Sequence, residues 1–195
     1  MVCNFILDGT HGSYPRVDKG YRLLSVRNII NDEFVFRDDD SNVSYKHFKE
    51  ISSKFKIVEG DIQLAIVGAT LGKVAVVKRL EEDVVTQRSL ATIRVNSELM
   101  NNSFVANFLR SKSYGAYLWS NTSFSAQPGV YLNTIQNSYI PLAPKSEQDL
   151  IDKYIDDESK KLNGVIENTQ TTIDKLREYK TTLINSAVTG KIKVV

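Results

Sequence analysis

The chain has 195 residues, 42% hydrophobic and 25% charged, with 25 Lys and Arg against 23 Asp and Glu for a net charge of +2. This composition is typical of one soluble domain, with or without an appendage, and it excludes collagen-like, mucin-like and disordered chains. One cysteine, Cys3, and two histidines, His11 and His47, are too few for an internal disulfide or a structural zinc site. No apolar run approaches the roughly 20 residues that span a bilayer, and no signal peptide is recognisable at the start, so we expect a cytoplasmic protein without membrane association.

The first unusual segment is residues 8–16, Asp-Gly-Thr-His-Gly-Ser-Tyr-Pro-Arg. Two glycines and a proline predict an irregular exposed loop, whose polar side chains can donate hydrogen bonds to bases or phosphates. Five of them are therefore predicted to face a nucleic acid: Thr10, His11, Ser13, Tyr14 and Arg16. An ordinary hydrophilic loop is the alternative, whereas a catalytic triad of Asp8, His11 and Ser13 lacks converging geometry.

Strands and short helices alternate along the rest of the first 145 residues. Strands are predicted at 21–26, 61–67, 74–77 and 90–95, and helices at 45–54, after a Ser44 cap, and at 103–112. This mixture predicts an α+β domain.

Residues 68–73, Gly-Ala-Thr-Leu-Gly-Lys, resemble a phosphate-binding loop but have three residues between the glycines instead of four. The β-branched run that follows predicts a strand where a phosphate-binding loop opens a helix. We predict a glycine-containing loop between two strands, either a structural turn or a loop that contacts a ligand through Thr70 and Lys73.

No Asp or Glu occurs between Leu99 and Ser146, although this stretch carries three basic and eight aromatic residues. Such a surface can attract phosphates and pack on sugars and bases, unless the aromatic residues simply form core. Within it, the polar loop 120–129 offers Ser123, Ser125 and Gln127 as further DNA contacts, since Gln can bond adenine through two hydrogen bonds. An ordinary hydrophilic loop remains the alternative here as well.

A boundary is predicted at Ser146. Pro141 and Pro144 keep the chain extended, and Ser146 with Asp149 suggests a capping box that starts a helix. Gly190 is the predicted end of this helix. We therefore predict a recognition domain at 1–145 and a long helix at 146–195.

Apolar residues in this helix recur with coiled-coil spacing. The predicted dimerisation positions are Ile155, Leu162, Ile166, Ile173, Leu176 and Leu183. About 40 helical residues extend roughly 60 Å, which is longer than a domain of 145 residues can cover, so the stripe predicts a partner helix. Thr169 and Lys180 weaken the packing of the seam but restrict its register and choice of partner. Gly164 lowers the stability of the helix by up to about 1 kcal/mol relative to Ala. A helix folded back on its own domain is the alternative.

Signatures of catalysis are missing from the sequence. It contains no Asn/Asp-Pro-Pro-aromatic loop of an adenine methyltransferase and no Pro-Asp with a later Glu-x-Lys of a nuclease. We therefore expect no catalytic residues and no metal site, and the chain is predicted not to be an enzyme.

Several segments together resemble the DNA specificity (S) subunits of type I restriction-modification systems. They are Phe5–Ser13, Tyr21–Ile29, Gly60–Ile62 with Val67–Lys73, Ile140–Gln148 and Leu176–Ile192. The resemblance covers nearly the whole chain, but the family usually carries two such units and this chain carries one. It differs also at Ala143, Pro144 and Lys145, where a second proline-leucine pair is usual.

The resemblance implies one target recognition domain and one spacer helix that packs antiparallel against another. The implied partners are double-stranded DNA, two modification subunits, a restriction subunit, and a second copy of this chain or a different half-subunit. S-adenosylmethionine is expected on the modification subunit, with no cofactor in this chain. The implied function is reading one half of a bipartite site so that partner subunits methylate adenine and restrict DNA. The alternative is a non-catalytic interaction protein that occupies or inhibits a modification subunit through its spacer helix.

Overall fold

The computed structural model describes residues 2–124 and 127–193, with the Phe124 side chain excluded. In chain order the elements are β1 Cys3–Asp8, β2 Tyr21–Leu24, a 3-10 turn Val26–Asn28, β3 Ile29–Ile30, β4 Glu33–Phe34, β5 Asn42–Val43, α1 Tyr45–Ser52, β6 Ile62–Ala65, β7 Val74–Val76, β8 Val85–Thr86, β9 Leu90–Val95, α2 Asn102–Arg110, α3 Lys112–Ser120, β10 Ser123–Phe124, β11 Pro128–Gly129, α4 Leu132–Gln136 and α5 Lys145–Val188. The chain divides into two units, one up to Asp149 and one from Leu150.

A six-stranded sheet in the order β1-β9-β6-β7-β4-β3 organises the first unit. Its pairs are antiparallel except β4 with β7, and β5-β2-β8 form a smaller sheet beside it. All four residues of β6 are buried, although Ile62 and Leu64 point to the opposite face from Gln63 and Ala65. Both faces of the sheet centre are therefore covered, with α2 packed against β7 and α4 against β1.

Buried polar groups in this sheet find partners inside the protein. The Gln63 amide and the Thr92 hydroxyl lie 3.1 Å apart in neighbouring strands, both fully buried. At the end of the sheet where β6 begins, Arg94 donates two hydrogen bonds of 2.8 Å to the buried Asp61 carboxylate and lies over the Phe5 ring. The hydrogen bond to Asp61 raises the pKa of the Arg94 guanidinium, as expected for a cation paired with a carboxylate.

The predicted α+β class is confirmed, as are the four strands, which agree within two residues at each end. Helix α1 begins after Ser44, whose hydroxyl accepts a hydrogen bond from the His47 N–H as expected of a cap. The second predicted helix is only partly right, because Ser111 ends α2 and caps α3 through the Tyr114 N–H at 3.2 Å. Helix α3 was not predicted.

The start of the long helix differs by one residue from the prediction. Helix α5 begins at Lys145, and the Pro144 carbonyl accepts the N–H groups of Glu147 and Gln148. Ser146 therefore lies inside the first turn and is not the cap, because the proline ring already presets the backbone there. The stop is confirmed: Gly190 has φ of +71°, and the Lys191 N–H closes on the Ser186 carbonyl at 2.8 Å.

No helix among the described residues is long and apolar enough to cross a membrane. Within the same ranges, no group of three or more His, Cys, Asp or Glu side chains is placed to hold a metal ion.

Candidate functional site

Three segments that carry polar loops meet at one edge of the six-stranded sheet. The register pairs Asp8 with Ala91 and Ala65 with Leu90. Because β9 is antiparallel to both neighbours, β1 and β6 end at the edge where β9 begins. The loops after β1 and β6 and the turn before β9 therefore emerge side by side.

The hairpin of β10 and β11 joins the same edge. The Gly68 N–H donates to the Pro128 carbonyl at 2.8 Å, and the Val130 N–H donates to the Ile66 carbonyl at 3.0 Å. Val67 also bridges to Gly129. The predicted loop 120–129 is thereby attached to the predicted loop 68–73, which the sequence placed about 50 residues away.

The loop after β1 is held tightly by backbone hydrogen bonds to the turn before β9. Thr10 donates to Thr86 at 2.8 Å and accepts from Arg88 at 3.0 Å. A Cβ at Gly9 would lie 2.3 Å from the Thr86 carbonyl oxygen, so only glycine fits this approach. The loop thus starts from a rigid support rather than from a free connection.

The five predicted side chains of this loop have different surroundings. His11 is exposed and pairs with the Asp8 carboxylate through Nε2. The Tyr14 hydroxyl donates to Glu50 at 3.1 Å, and its ring packs against the core cluster around Leu23 and Phe48. Tyr14 therefore has a packing role in addition to its predicted place in the loop.

Arg16 and Ser13 lie on the exposed outer part of the same loop. The Arg16 guanidinium donates to the Tyr14 carbonyl at 2.7 Å, while the Thr10 hydroxyl accepts the Gly12 N–H at 3.2 Å. These bonds stabilise the loop from within and leave the remaining guanidinium N–H groups of Arg16 for other partners.

Residues 68–73 form a connection between β6 and β7, as predicted, and β7 begins directly after Lys73. Gly68 and Gly72 have φ of +86° and +89°, a conformation that favours glycine, and Leu71 is buried beneath the loop. The exposed Lys73 and the partly exposed Thr70 stand on the outside. The loop is a rigid turn whose outer side chains are available.

Two clefts flank the loop after β1. One of about 580 Å³, here called the hairpin cleft, lies between this loop and the β10–β11 hairpin. Its polar and aromatic lining consists of Asp8, His11, Arg88, Ser123, Gln127 and Tyr131. The other, of about 380 Å³, lies towards α1 and includes Thr10, His11, Tyr14, Glu50, Lys54 and Thr86.

The hairpin cleft thus unites His11, Ser123 and Gln127, three residues predicted from separate parts of the sequence. Ser13, Arg16, Thr70 and Lys73 line neither cleft. The predicted Ser125 lies outside the described residues.

Two residues of the hairpin cleft were missed by the sequence analysis, Arg88 and Tyr131. Arg88 stands in the turn immediately before β9, and its exposed side chain adds a cation to the cleft that the Asp8–His11 pair also lines. The strand at 90–95 was predicted correctly, so its start was known. What the sequence did not show was that this start lies beside the end of β1.

The unit from Leu150 onward presents a different surface. Five of the six predicted dimerisation residues, all except the half-buried Ile155, are exposed large apolar side chains: Leu162, Ile166, Ile173, Leu176 and Leu183. The polar side chains bond along the helix itself, as Lys161 does with Glu158 at 2.7 Å and Thr169 with the Val165 carbonyl at 2.8 Å. The stripe is available to another helix.

Comparison with known proteins gives concordant results. Residues 18–176 match the family model described as the type I restriction modification DNA specificity domain. A chain from a structural study of complex assembly and conformational transition of the type I R-M system superposes with a TM-score of 0.68 at 16% identity. The match covers 95% of the present chain and 43% of that other chain. The HsdS subunit of Thermoanaerobacter tengcongensis superposes with a TM-score of 0.62 at 17% identity, covering 98% and 43%. No curated protein sequence matches the chain. These likenesses show the fold, and the chain spans less than half the length of either structure.

Proposed function

The chain belongs to the family of type I restriction modification DNA specificity domains, and on that premise we propose that it reads one half of a bipartite site in double-stranded DNA. The observation that carries the proposal is the hairpin cleft, where the loop after β1, the turn before β9 and the β10–β11 hairpin bring His11, Arg88 and Gln127 together. The chain itself chooses the site and performs no chemistry, while partner subunits methylate adenine and restrict the DNA.

The side chains of the cleft match the chemistry of base edges. A guanidinium such as that of Arg88 bonds guanine O6 and N7 together, and the amide of Gln127 bonds adenine N6 and N7. Ser123 and Thr10 can each donate or accept a single hydrogen bond. Lys73 and Arg16, outside the cleft, are assigned to phosphates, which position the duplex without specifying its sequence.

The paired carboxylate and imidazole of Asp8 and His11 suit the same surface. An isolated carboxylate would repel the phosphates of an approaching duplex. The contact with His11 engages the Asp8 oxygen, and the exposed imidazole then stands between the carboxylate and the DNA. Asp8 is accordingly a residue that orients His11.

The second half of the site is assigned to a partner bound through α5. The apolar residues of α5 are exposed to solvent. A second copy or a different half-subunit with the same stripe buries them in an antiparallel coiled coil. If two copies pair, their symmetry requires two inverted half-sites with a fixed gap. The modification subunits hold S-adenosylmethionine, a restriction subunit completes the assembly, and the complex acts on DNA in the cytoplasm.

The test is a map of N6-methyladenine in a methylation-free host that expresses the chain with its candidate modification subunit. A split inverted-repeat motif is expected for a homodimer, and a split asymmetric motif for pairing with a different half-subunit. A stable complex that methylates no site, both alone and with a co-expressed candidate second half-subunit, would contradict the proposal and support the alternative, an inhibitor that occupies the modification subunit.

A matched pair of variants locates the reading surface. Arg88→Ala should weaken binding of the mapped duplex about tenfold or more, since a good bidentate contact contributes about 1–3 kcal/mol of discrimination. Arg79→Ala removes the same charge from an exposed residue outside both clefts and should change binding little. Equal effects of the two variants would show that Arg88 acts only through general charge.

A further inference from the structure

Tyr131 presents an exposed aromatic ring at the hairpin cleft. The residue is 72% exposed, yet it directly follows Val130, which is buried and whose N–H donates to the Ile66 carbonyl at 3.0 Å. The Thr134 N–H in turn donates to the Tyr131 carbonyl at 3.0 Å as α4 begins. The backbone of Tyr131 is therefore held on both sides while its ring stands in solvent.

The helix that follows is itself attached to the unit. Ile135 is buried, and the Tyr117 hydroxyl donates to the Thr134 carbonyl at 2.9 Å. Gln136 reaches the Ile6 carbonyl in β1 at 3.5 Å. Because the backbone is already fixed, only the side-chain torsions of Tyr131 remain to be ordered when its ring makes a contact.

We infer that the Tyr131 ring stacks on a base of the bound duplex and opens the stack at one step of the half-site. The inference rests on the proposed function and adds to it, because it assigns a residue that unstacks a base rather than one that reads a base edge. A tyrosine offers one hydroxyl for edge contacts but a whole ring face for stacking. Apolar side chains such as Phe unstack base steps from the minor groove in other proteins, and aromatic rings stack on the bases of single strands. Tyr131 would do so from the major-groove side, to which Arg88 and Gln127 are assigned.

Position, and not exposure alone, carries the inference. Tyr139 is still more exposed, at 94%, but lies in the connection before α5 and lines neither cleft. Tyr131 shares its cleft with Arg88, Gln127 and His11. A duplex held by these polar groups would bring its bases to the Tyr131 ring. Tyr139 lies outside the cleft and would not meet them.

The experiment uses the full chain in complex with its candidate modification subunit and a duplex selected by that complex from a random-sequence pool. 2-Aminopurine replaces each base of the half-site in turn, and its fluorescence reports a change of stacking partner while fluorescence anisotropy gives the Kd. The wild-type complex should change the fluorescence at one step. Tyr131→Ala should alter that signal and weaken binding about tenfold, Tyr131→Phe should keep both, and Tyr139→Ala should match the wild type.

Each contrary result overturns the inference in a recognisable way. Wild-type fluorescence at Tyr131→Ala rules out stacking by this ring, and a loss with Tyr131→Phe equal to that with Tyr131→Ala assigns the hydroxyl to a base edge instead. Impaired assembly of Tyr131→Ala with the modification subunit, with fluorescence intact, makes Tyr131 a protein contact. If the wild type selects a duplex without unstacking any base, only this inference fails, whereas failure to select any sequence removes the proposed function as well.

Discussion

The leucines of the six-stranded sheet and those of the long helix differ in their exposure to solvent. In the unit up to Asp149, Leu64 and Leu90 are fully buried in the sheet, and the polar pairs beside them, such as Asp61 with Arg94, are closed within the unit. In the unit from Leu150, Leu162 and Leu176 are exposed on a helix whose polar side chains bond to the same helix. The first unit contains its own core, whereas the second presents an apolar stripe that the proposed partner helix would cover.

Charge on the helix stripe should produce the largest effect. Ile166→Asp with Leu176→Asp places two carboxylates in the proposed seam, where they cannot be desolvated without a large cost. Association with a second copy or half-subunit, measured by sedimentation equilibrium, should weaken at least about 100-fold, equivalent to about 2.7 kcal/mol.

The matched control for this variant is Asn168→Asp with Thr171→Asp, which adds the same charge at exposed polar positions away from the stripe. Its association should stay close to that of the wild type. If the two double variants associate equally well, α5 binds its partner through another face or has no partner.

The next largest effect is expected from replacing one leucine by alanine in each unit. Leu64→Ala leaves a cavity in the sheet and should lower the free energy of unfolding by about 2–5 kcal/mol. Leu162→Ala, studied at concentrations where the chain is monomeric, should change it by no more than about 0.5 kcal/mol. Urea denaturation measures both, and similar losses would contradict the contrast between the units.

The first turn of α5 supplies a smaller effect. The buried amide of Gln148 accepts the Asn101 N–H at 2.7 Å and donates to the carbonyls of Leu99 and Ala143 at 3.0 and 2.7 Å. Gln148→Ala leaves these backbone groups without partners and should cost about 1–3 kcal/mol. Glu147→Ala, at the exposed neighbouring position, is the control in thermal denaturation. Equal stability of the two variants would show that water replaces the amide.

Alkaline pH should produce the smallest effect. Burial raises the pKa of the Tyr114 phenol above its ordinary value of 10.0, so the folded state retains this proton longer than the unfolded state. The resulting stability is complete below about pH 10 and is lost as the pH rises through the folded pKa. We expect the urea midpoint to fall as the pH rises from roughly 8 to roughly 11, a range around the ordinary pKa of tyrosine. The fall should be less steep in Tyr114→Phe.

Cys3 contributes to the same decline because burial also raises the pKa of its thiol above 9.0. The Tyr114→Phe profile should therefore become flatter without becoming level. A profile that coincides with the wild type would assign the alkaline sensitivity to Cys3 or other groups.

Elements set by neighbours along the chain were predictable from the sequence. The strand at Leu90–Val95 follows from its β-branched residues, and helix α1 from its Ser44 cap. The long helix follows from the periodicity of its apolar residues and from Gly190 beyond its end. The one-residue error at Ser146 arose because a serine cap and a preceding proline predict nearly the same start.

Arrangement of the site was decided by strand pairing between distant residues. Arg88 and Thr10 are 78 positions apart, and the antiparallel pairing of β1 with β9 makes them neighbours. Tyr114 and Tyr131 look alike in an acid-free, aromatic-rich stretch, but one is buried in the unit and the other stands at the cleft. Local rules determine which residues form strands and helices. Which side chains meet depends on long-range packing, because side chains far apart in the chain come into contact only when the whole sheet is assembled.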